Sequence, residues 1–518
     1  MIGTKASQHR RTTPECRTHR PARNSRPPGP TGSATGPWLA AAAAVAQGGA
    51  MTTITDTGDP TDLAVRLGGP TGQLTEAEVT EFVAGQLAGH DLDGRSVCVL
   101  VPDGTRNCPM PLLLRAVHGA LYGRASRITV LVALGTHAAM SEQALAVHLG
   151  YRAGHLQDSY PGTTVINHEW WKPETFADLG TISAARIAEL SEGRMSAEVQ
   201  VLLNRAVVEH DVALVLGPVL PHEVVGISGG NKYFFPGVAG QKIIDVSHWL
   251  GALITSAEII GTTGITPVRA LINDGAALIP AEKIAFCVVT AESDSTDSDA
   301  EISADDDAGI GGHRIAAAGT EAGRAPAGSA TRSSGLHSVS FGSTLSSWAD
   351  AAQVCAATHV QYLDRPVRRV LSIVPEMYDE IWTGAKGFYK VEPIVADGGE
   401  VILYAPHITE IASSHPQIHD VGYHCRDYFV KQWDRFSGVH WGVLAHSTHL
   451  RGAGSYDPAT GQETLRVDVT LATGIPEQEC HSVNLGYLDP AGIDIAAYEA
   501  DPETLVVHRA GEVLYRLR

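Results

Sequence analysis

Three side chains that can do chemistry lie close together between Pro221 and His248. His222 can transfer a proton near neutral pH, Lys232 can act as an amine nucleophile, and His248 can bind a metal through a ring nitrogen. The turn between them is rich in glycine, serine and proline, and glycine permits unusual backbone angles and the close approach of a ligand. This combination favours a ligand-binding site over a purely structural segment.

Each of these side chains also has an ordinary structural explanation. The lysine can be solvated or can bind a phosphate, and His222 can be a packed histidine. The stretch 226–232 matches neither the dinucleotide fingerprint GxGxxG nor the phosphate-binding loop GxxxxGK[ST]. His248 has no HExxH or CxxH companions, so a metal bound there needs most of its ligands from elsewhere, such as a cofactor.

Two further polar motifs lie earlier in the chain. The first is Asp103-Gly104-Thr105-Arg106, whose carboxylate and guanidinium suit the recognition of ribose hydroxyls and phosphate. The second ends in His137, a natural general acid or base. An internal ion pair in the first motif, or a capping histidine in the second, would explain them without a function. His168 and His407 are additional polar residues near predicted strand ends.

Short apolar runs of the buried-strand type precede all three motifs. The predicted elements are strands over 96–102, 128–134 and 211–216, a helix over 110–122 and a helix that begins at Ser141. Alternating buried strands and helices predict a mostly parallel sheet. Ligands of such sheets bind beyond the carboxyl ends of the strands, so we expect the motifs to form one composite site.

A second α/β pattern follows residue 340. Its predicted elements are a helix over 348–360, a helix or loop over 376–386, and strands over 368–374 and 400–405. The predicted fold is therefore two α/β domains with mostly parallel sheets. The first covers 51–285 and carries the cofactor-binding and catalytic residues, the second covers 341–518 and binds the substrate, and the active site lies in the cleft between them.

Two segments depart from this pattern. Residues 1–50 are basic and rich in proline and alanine, and we expect a disordered extension, with Met51 as an alternative start. An export signal built on the Arg10-Arg11 pair is the less favoured interpretation, because the alanine-rich run is weakly apolar and far from that pair. Residues 286–340 form a low-complexity insertion, which is acidic at first and then rich in glycine, alanine and serine.

The composition excludes several classes of protein. The 518 residues carry a formal net charge of −19, which argues against nucleic-acid binding and favours small-molecule partners. The seven cysteines form no CxxC pair, a pattern typical of a reduced, cytoplasmic protein. No apolar run approaches the roughly 20 residues of a membrane span.

The motifs taken together resemble the nickel-dependent lactate racemases and their homologues. The stretch 103–109 is similar to that family's DxTRxxP motif, Gly135-Thr136-His137 to its GTH motif, and the stretch 221–237 to its PHxxxGxSGGxKxxxPG signature. His248 falls where the family has a nickel-ligating histidine. The resemblance covers most of 55–275 and, more loosely, 365–490.

This resemblance implies roles for individual residues. His137 and His222 would be the two catalytic acid–base groups, on opposite faces of the substrate. Lys232 would hold a nickel-pincer nucleotide covalently (pyridinium-3-thioamide-5-thiocarboxylic acid mononucleotide), His248 would be the protein ligand of nickel, and residues 103–106 would bind the nucleotide part. The implied activity is racemisation or epimerisation of a 2-hydroxy acid by proton-coupled hydride transfer to and from this cofactor. Cofactor-synthesis enzymes are implied partners.

The second half departs from the family pattern. Lys386 matches a lysine that would bind the substrate carboxylate, but Thr383 stands where the lactate enzymes have a glutamine. A longer or sugar-derived 2-hydroxy acid therefore fits as well as lactate, and Trp382, Lys390 and His407 are further candidate pocket residues. Two other functions stay open: an oxidoreductase that releases the 2-oxo acid, and a non-catalytic protein that binds or matures the nickel cofactor.

Overall fold

The structure is a computed structural model that describes residues 63–291, 332–413 and 415–518. The predicted extension over 1–50 and most of the predicted insertion lie outside the described residues. The described part forms one compact unit built on two large sheets, of seven and five strands, and contains four further two-stranded sheets.

The first half of the fold contains the following elements in chain order. The strands are β1 (Val65–Gly68), β2 (Ser96–Pro102), β3 (Arg127–Ala133), β4 (Thr163–Asn167), β5 (Phe176–Ile182), β6 (Val199–Asn204), β7 (Val212–Pro218), β8 (Pro221–His222), β9 (Gly226–Ile227), β10 (Glu282–Thr290) and β11 (Leu336–Ser343). The helices are α1 (Glu76–Ala88), α2 (Met110–Leu121), α3 (Glu142–Leu149), α4 (Leu156–Ser159), α5 (Ala184–Leu190), α6 (Arg205–Val208), α7 (Gln241–Ile254), α8 (Ser256–Ile259), α9 (Pro267–Ala277) and α10 (Ser346–Thr358).

A seven-stranded sheet in the order β1-β11-β10-β7-β2-β3-β4 organises this half. Strands β10, β7, β2, β3 and β4 run parallel, while β11 is antiparallel to both β10 and β1. Leu100 of β2 is in register with Val215 on one side and Leu131 on the other. The carboxyl ends of β7, β2 and β3 therefore lie side by side, as predicted.

Buried aliphatic side chains explain why these strands were recognisable in the sequence. Val99, Leu100 and Leu214 are fully buried, as are most of their neighbours on β2, β3 and β7. Strands covered on both faces read as continuous apolar runs. Helix α3 begins after Ser141, whose hydroxyl accepts from the backbone N–H of Ala144, as its capping position predicts.

The predicted boundaries of the insertion fall inside two strands of the first sheet. Residues 286 and 340 lie within β10 and β11, which pair with each other, for example Phe286 with Phe341. The insertion prediction was therefore too wide by about a strand at each end. The first half of the fold also extends past residue 340, because α10 packs against β11 and β10. Apolar residues at the edges of the insertion were obscured by its composition.

The second half contains the remaining elements. The strands are β12 (Val360–Leu363), β13 (Val367–Ile373), β14 (Val395–Ala405), β15 (Gly454–Asp457), β16 (Gln462–Leu465), β17 (Val467–Thr473), β18 (Gly486–Tyr487), β19 (Thr504–Val507) and β20 (Leu514–Leu517). The helices are α11 (Ile381–Gly384), α12 (Lys386–Tyr389), α13 (Ile418–Val421), α14 (Arg426–Val430), α15 (Trp433–Phe436), α16 (Trp441–Arg451), α17 (Glu477–Ser482) and α18 (Ile495–Ala500).

A five-stranded parallel sheet in the order β18-β17-β14-β13-β19 organises the second half. With the first sheet, it confirms the predicted α/β class with mostly parallel sheets. In the part of the chain that the structure describes, no helix combines the length and the apolar character needed to cross a bilayer.

Helix α7 joins the two halves by packing against α16. Trp249 of α7 stacks on Trp433 with ring centroids 5.5 Å apart, and the hydroxyl of Ser256 lies 2.5 Å from Nδ1 of His449 on α16. Arg426 of the second half donates to the backbone oxygen of Leu253, at 2.7 Å. These contacts hold the helix that carries His248 against the second half.

Candidate active site

The predicted acid–base residue His137 follows β3 and forms a close pair with Asp103, which follows β2. Nδ1–H of His137 donates to Oδ2 of Asp103 at 2.6 Å, and the hydroxyl and the backbone N–H of Thr105 donate to the other carboxylate oxygen. Burial disfavours ionisation of Asp103, but these hydrogen bonds and the charge of Arg106 outweigh it and lower the pKa to about 2. The Asp103 anion therefore fixes the ring so that Nε2 carries the lone pair.

His137 is accessible from solvent, with 56% of its side chain exposed. The indole N–H of Trp170 donates to the backbone oxygen of His137 at 2.9 Å, and Gly135 donates its N–H to the oxygen of Gly237. Both contacts fix the loop that carries the histidine. A ligand can therefore reach the ring without a rearrangement of that loop.

His222 lies in the short hairpin of β8 and β9, where it pairs with Gly226. It is less accessible than His137, with 12% of its side chain exposed. Its Nδ1 accepts from the backbone N–H of Val224 at 3.2 Å and lies 3.4 Å from Oε2 of Glu223. Burial holds the pKa of His222 well below its usual range, and the charges of Lys232 and Arg106 act in the same direction. The ring is therefore neutral at pH 7.

Lys232 lies in a 3-10 turn, Gly230–Tyr233, directly after the glycine pair. Gly229 and Gly230 have φ of +90° and +56°, and a Cβ on Gly230 would lie 2.5 Å from the backbone oxygen of Thr344. Only glycine fits this turn without strain. Burial and the charge of Arg106 lower the pKa of Lys232 to about 7, so a large fraction of the side chain is a neutral amine at physiological pH.

The lone metal-ligand candidate His248 has one ring nitrogen already engaged. Its Nδ1–H donates to the backbone oxygen of Ile244 on the preceding turn of α7, at 2.7 Å. This leaves Nε2 with its lone pair, the arrangement that metal-bound histidines usually have. Among the described residues, no group of three or more histidine, cysteine or acidic side chains could hold a metal ion. Any metal at His248 would therefore need ligands from a bound molecule.

Lys386 of α12 brings the second half of the chain to this site. Its Nζ lies 5.0 Å from the centroid of the Tyr378 ring. Burial and the charge of Arg106 lower the pKa of Lys386 to about 8, against the opposing influence of Glu223 and Asp103. The three charged groups that act on this amine, Arg106, Glu223 and Asp103, all belong to the first half of the fold.

The other predicted pocket residues are engaged in local contacts. Thr383 donates its hydroxyl to the backbone oxygen of Glu380, and Lys390 is buried and donates to the backbone oxygen of Glu512 at 3.0 Å. Trp382 lies between two histidine rings, those of His415 and His446, stacked at 3.9 and 3.7 Å.

The two additional histidines both have backbone partners. His407 lies 3.0 Å from the backbone oxygen of Tyr378. His168 is fully buried between Asn204 and the backbone oxygen of Ala239, as a packed histidine would be.

The sequence did not single out Glu223, Arg269 or His449. Glu223 directly follows His222, so its position beside that ring was the one available signal. Arg269 is buried and donates to the backbone oxygens of Ile227 and Gly229. These two hydrogen bonds hold the glycine turn in place. His449 is buried on α16 and has an unpartnered Nε2 among the described residues. Their distance from the motifs along the chain explains why the last two were missed.

Comparisons with known proteins find similarity to lactate racemases. The family model described as "Lactate racemase N-terminal domain" matches residues 85–261. A curated lactate racemase from Thermoanaerobacterium thermosaccharolyticum is 24% identical over 158 residues, which are 30% of this chain and 32% of that protein. The matched region thus spans about a third of the length of the curated relative.

Two solved structures extend the similarity to most of the chain. A protein from Thermotoga maritima superposes with a TM-score of 0.71 at 30% identity and covers 87% of this chain and 100% of its own. The lactate racemase apoprotein from T. thermosaccharolyticum superposes with a TM-score of 0.59 at 15% identity and covers 86% of this chain and 93% of its own. The second likeness establishes a shared fold.

Proposed function

Because this chain belongs to the lactate racemase-like family, we propose that it is a racemase or epimerase of a 2-hydroxy acid. The observation that carries the proposal is the convergence of three groups at neighbouring strand ends: the His137–Asp103 pair, the neutral His222 and the amine of Lys232. Racemisation through a planar 2-oxo acid requires proton transfer at the substrate oxygen on either face, and two histidines supply it.

The residues present fit the nickel-pincer nucleotide that the family implies. Lys232 offers a largely neutral amine for covalent attachment, and a side chain on Gly230 would collide with the backbone that surrounds the attachment point. His248 offers Nε2 to the metal, and the stretch 103–106 offers polar groups to the nucleotide part. When bound, this group would supply a hydride acceptor, which neither histidine can provide.

His137 is suited to accept the hydroxyl proton of one enantiomer at Nε2. Asp103 holds the opposite ring nitrogen at 2.6 Å, which keeps the ring in this tautomer and stabilises the imidazolium that forms. His222 would transfer the proton on the other face. Lys386 would bind the substrate carboxylate, since it is a cationic side chain of the second half on which the charges of Arg106 and Glu223 of the first half act.

The test is to produce the full chain together with cofactor-synthesis enzymes and to measure intact mass, bound nickel and chirality of products over a panel of 2-hydroxy acids. We expect a covalent adduct that Lys232→Ala abolishes. His137→Ala and His222→Ala should each lose racemisation while keeping nickel.

Other outcomes would identify the rival functions. Stoichiometric release of the 2-oxo acid would make the protein an oxidoreductase. Cofactor binding without turnover of any hydroxy acid would make it a binding or maturation protein. An unchanged adduct on Lys232→Ala would refute the assignment of the attachment site.

A further inference from the structure

Each of the two histidines has a carboxylate beside Nδ1, but the two pairs differ in length. Asp103 Oδ2 lies 2.6 Å from Nδ1 of His137, which is a short, charge-assisted hydrogen bond. Glu223 Oε2 lies 3.4 Å from Nδ1 of His222, and the backbone N–H of Val224 donates to the same nitrogen at 3.2 Å. His137 and Asp103 are therefore hydrogen-bonded. His222 and Glu223 are not, because the backbone N–H of Val224 occupies Nδ1 of His222.

This difference places the Nδ1 hydrogen-bonding roles of the two rings in opposite senses. A ring nitrogen that accepts a hydrogen bond carries no proton, so the neutral ring of His222 carries its proton on Nε2. His137 donates from Nδ1 and keeps the lone pair on Nε2. In the arrangement described, His137 can therefore accept a proton at Nε2 and His222 cannot.

Whether the His222 ring is neutral or positively charged depends on Glu223, because the other charged groups around it oppose the positive charge. Lys232, Arg106 and His248 disfavour a positive ring, while Glu223 favours it. A fifth of the Glu223 side chain is accessible, and His449 and Lys386 of the second half act on the same carboxylate. Glu223 is thus an anion on which groups of both halves act, and its carboxylate lies 3.4 Å from Nδ1 of His222.

We propose that Glu223 is the positioning residue of His222. The arrangement with Nδ1 bonded to Val224 is inactive, and the reaction requires a change of the Nδ1 partner to Glu223. In the working state, Nδ1–H of His222 donates to Glu223 and the contact with Val224 is broken. A proton taken up from solvent at Nδ1 gives the imidazolium. The Nε2 proton then passes to the substrate oxygen, which leaves a neutral ring with Nδ1–H on Glu223. Only the Nε2 proton is exchanged with substrate. This rests on the proposed function.

The decisive measurement uses the full-length protein without cofactor. Nitrogen-15 histidine labelling, with His222→Gln to assign the signal, reports which ring nitrogen of His222 carries the proton. We expect the Nε2–H tautomer at pH 8. On acidification, His222 should take up a proton at Nδ1, and the side-chain carbonyl carbon of Glu223 should shift with the same midpoint.

Two substitutions test the role of the carboxylate. Glu223→Gln keeps the shape and removes the charge, so the His222 midpoint should fall to lower pH. Glu223→Asp retains the charge and should recover part of that shift. Glu189→Gln, an exposed acid paired with Arg186, is the matched control and should leave His222 unchanged.

Loaded enzyme gives an independent readout. Glu223→Gln should lower kcat about 10- to 100-fold with little change in KM or in the lysine adduct, because proton transfer at one face is impaired and binding is not. The proposal is wrong if Glu223→Gln leaves both the His222 midpoint and kcat unchanged, or if the wild-type Glu223 signal ignores His222 titration. If Glu223→Gln does not fold, the proposal is tested by the His222 midpoint in Glu223→Asp and by the shared midpoint of His222 and Glu223 in the wild type. A wild-type protein that loads no cofactor would refute the proposed function. The histidine titration uses cofactor-free protein, so it would still show whether Glu223 controls the protonation of His222.

Discussion

The guanidinium of Arg269 lies 4.1 Å from the centroid of the Trp348 ring and donates to the backbone oxygens of Ile227 and Gly229. Trp348 also donates from its indole N–H to the oxygen of Ile227 at 3.3 Å. Arg269 is 1% exposed, and burial lowers its pKa to about 9. A buried cation with carbonyl partners therefore fixes the turn that presents Lys232.

Replacing Arg269 with methionine should destabilise the protein and reduce cofactor attachment. The change removes two hydrogen bonds from a charged donor to buried carbonyls, each of which contributes about 1.5–3 kcal/mol. Each carbonyl keeps one longer hydrogen bond, from the Trp348 indole to Ile227 and from the backbone N–H of Lys232 to Gly229. We expect the free energy of unfolding to fall by about 2–4 kcal/mol in urea denaturation and the adduct fraction to fall with it. Arg186→Met removes a half-exposed ion pair with Asp274 and should cost at most about 1 kcal/mol. Equal effects of the two substitutions would contradict this account.

Gly230→Ala should impair attachment of the cofactor at Lys232. The alanine Cβ would lie 2.5 Å from the oxygen of Thr344 and 2.7 Å from Cβ of Trp348, at a φ of +56°. We expect a loss of at least about 2 kcal/mol of stability and a smaller adduct fraction by intact mass. Gly264→Ala is the control, because nothing lies within 4 Å of its added Cβ. If Gly230→Ala loads as fully as the control, the turn does not require glycine.

The Asp103–His137 pair should make stability depend on pH in the acid range. The folded-state pKa of Asp103 is lowered to about 2, so its contribution is fully present above the unfolded value near 4 and is lost as the pH falls toward 2. The difference corresponds to roughly 2 kcal/mol. The stability gap between wild type and Asp103→Asn should therefore narrow from pH 5 to pH 2 in urea unfolding. Asp364→Asn, at an exposed acid outside the site, is the control for the substitution itself.

The amine of Lys232 should react with an acylating reagent at unusually low pH in the cofactor-free protein. Burial and the charge of Arg106 lower its pKa to about 7, so its labelling rate, followed by peptide mass, should reach half of its maximum near pH 7. Arg106→Gln removes one cause of the lowering and should move the midpoint to higher pH. A midpoint above pH 9 in the wild type would rule out the neutral amine.

The strands, and the sheet edge at which the polar motifs follow them, could be predicted because each depends on local sequence. Val97 to Val101 form a continuous apolar run since neighbouring strands bury both faces, and polar motifs follow the ends of such runs. The three motifs then meet because parallel strands end at the same edge of the sheet.

Other features could not be predicted because they depend on residues far apart in the chain. The pairing of β11 with β10 joins segments on either side of the insertion, and no local pattern reports it. Arg269 reads as an ordinary helical arginine, and only its position under the glycine turn makes it important for Lys232. The open contact between His222 and Glu223 depends on distances of a few tenths of an ångström.

The pairing of β10 with β11 fixes the two points between which the chain can be lengthened. The backbone N–H of Ala291 donates to the oxygen of Gly335 at 2.9 Å, so the two ends of the intervening segment already meet. Closing a longer loop between fixed ends costs only about 0.6 kcal/mol for each doubling of its length. The segment between these two residues can therefore be exchanged for another, or extended by a tag or a domain. Such a change would leave the strand ends that carry the functional residues undisturbed.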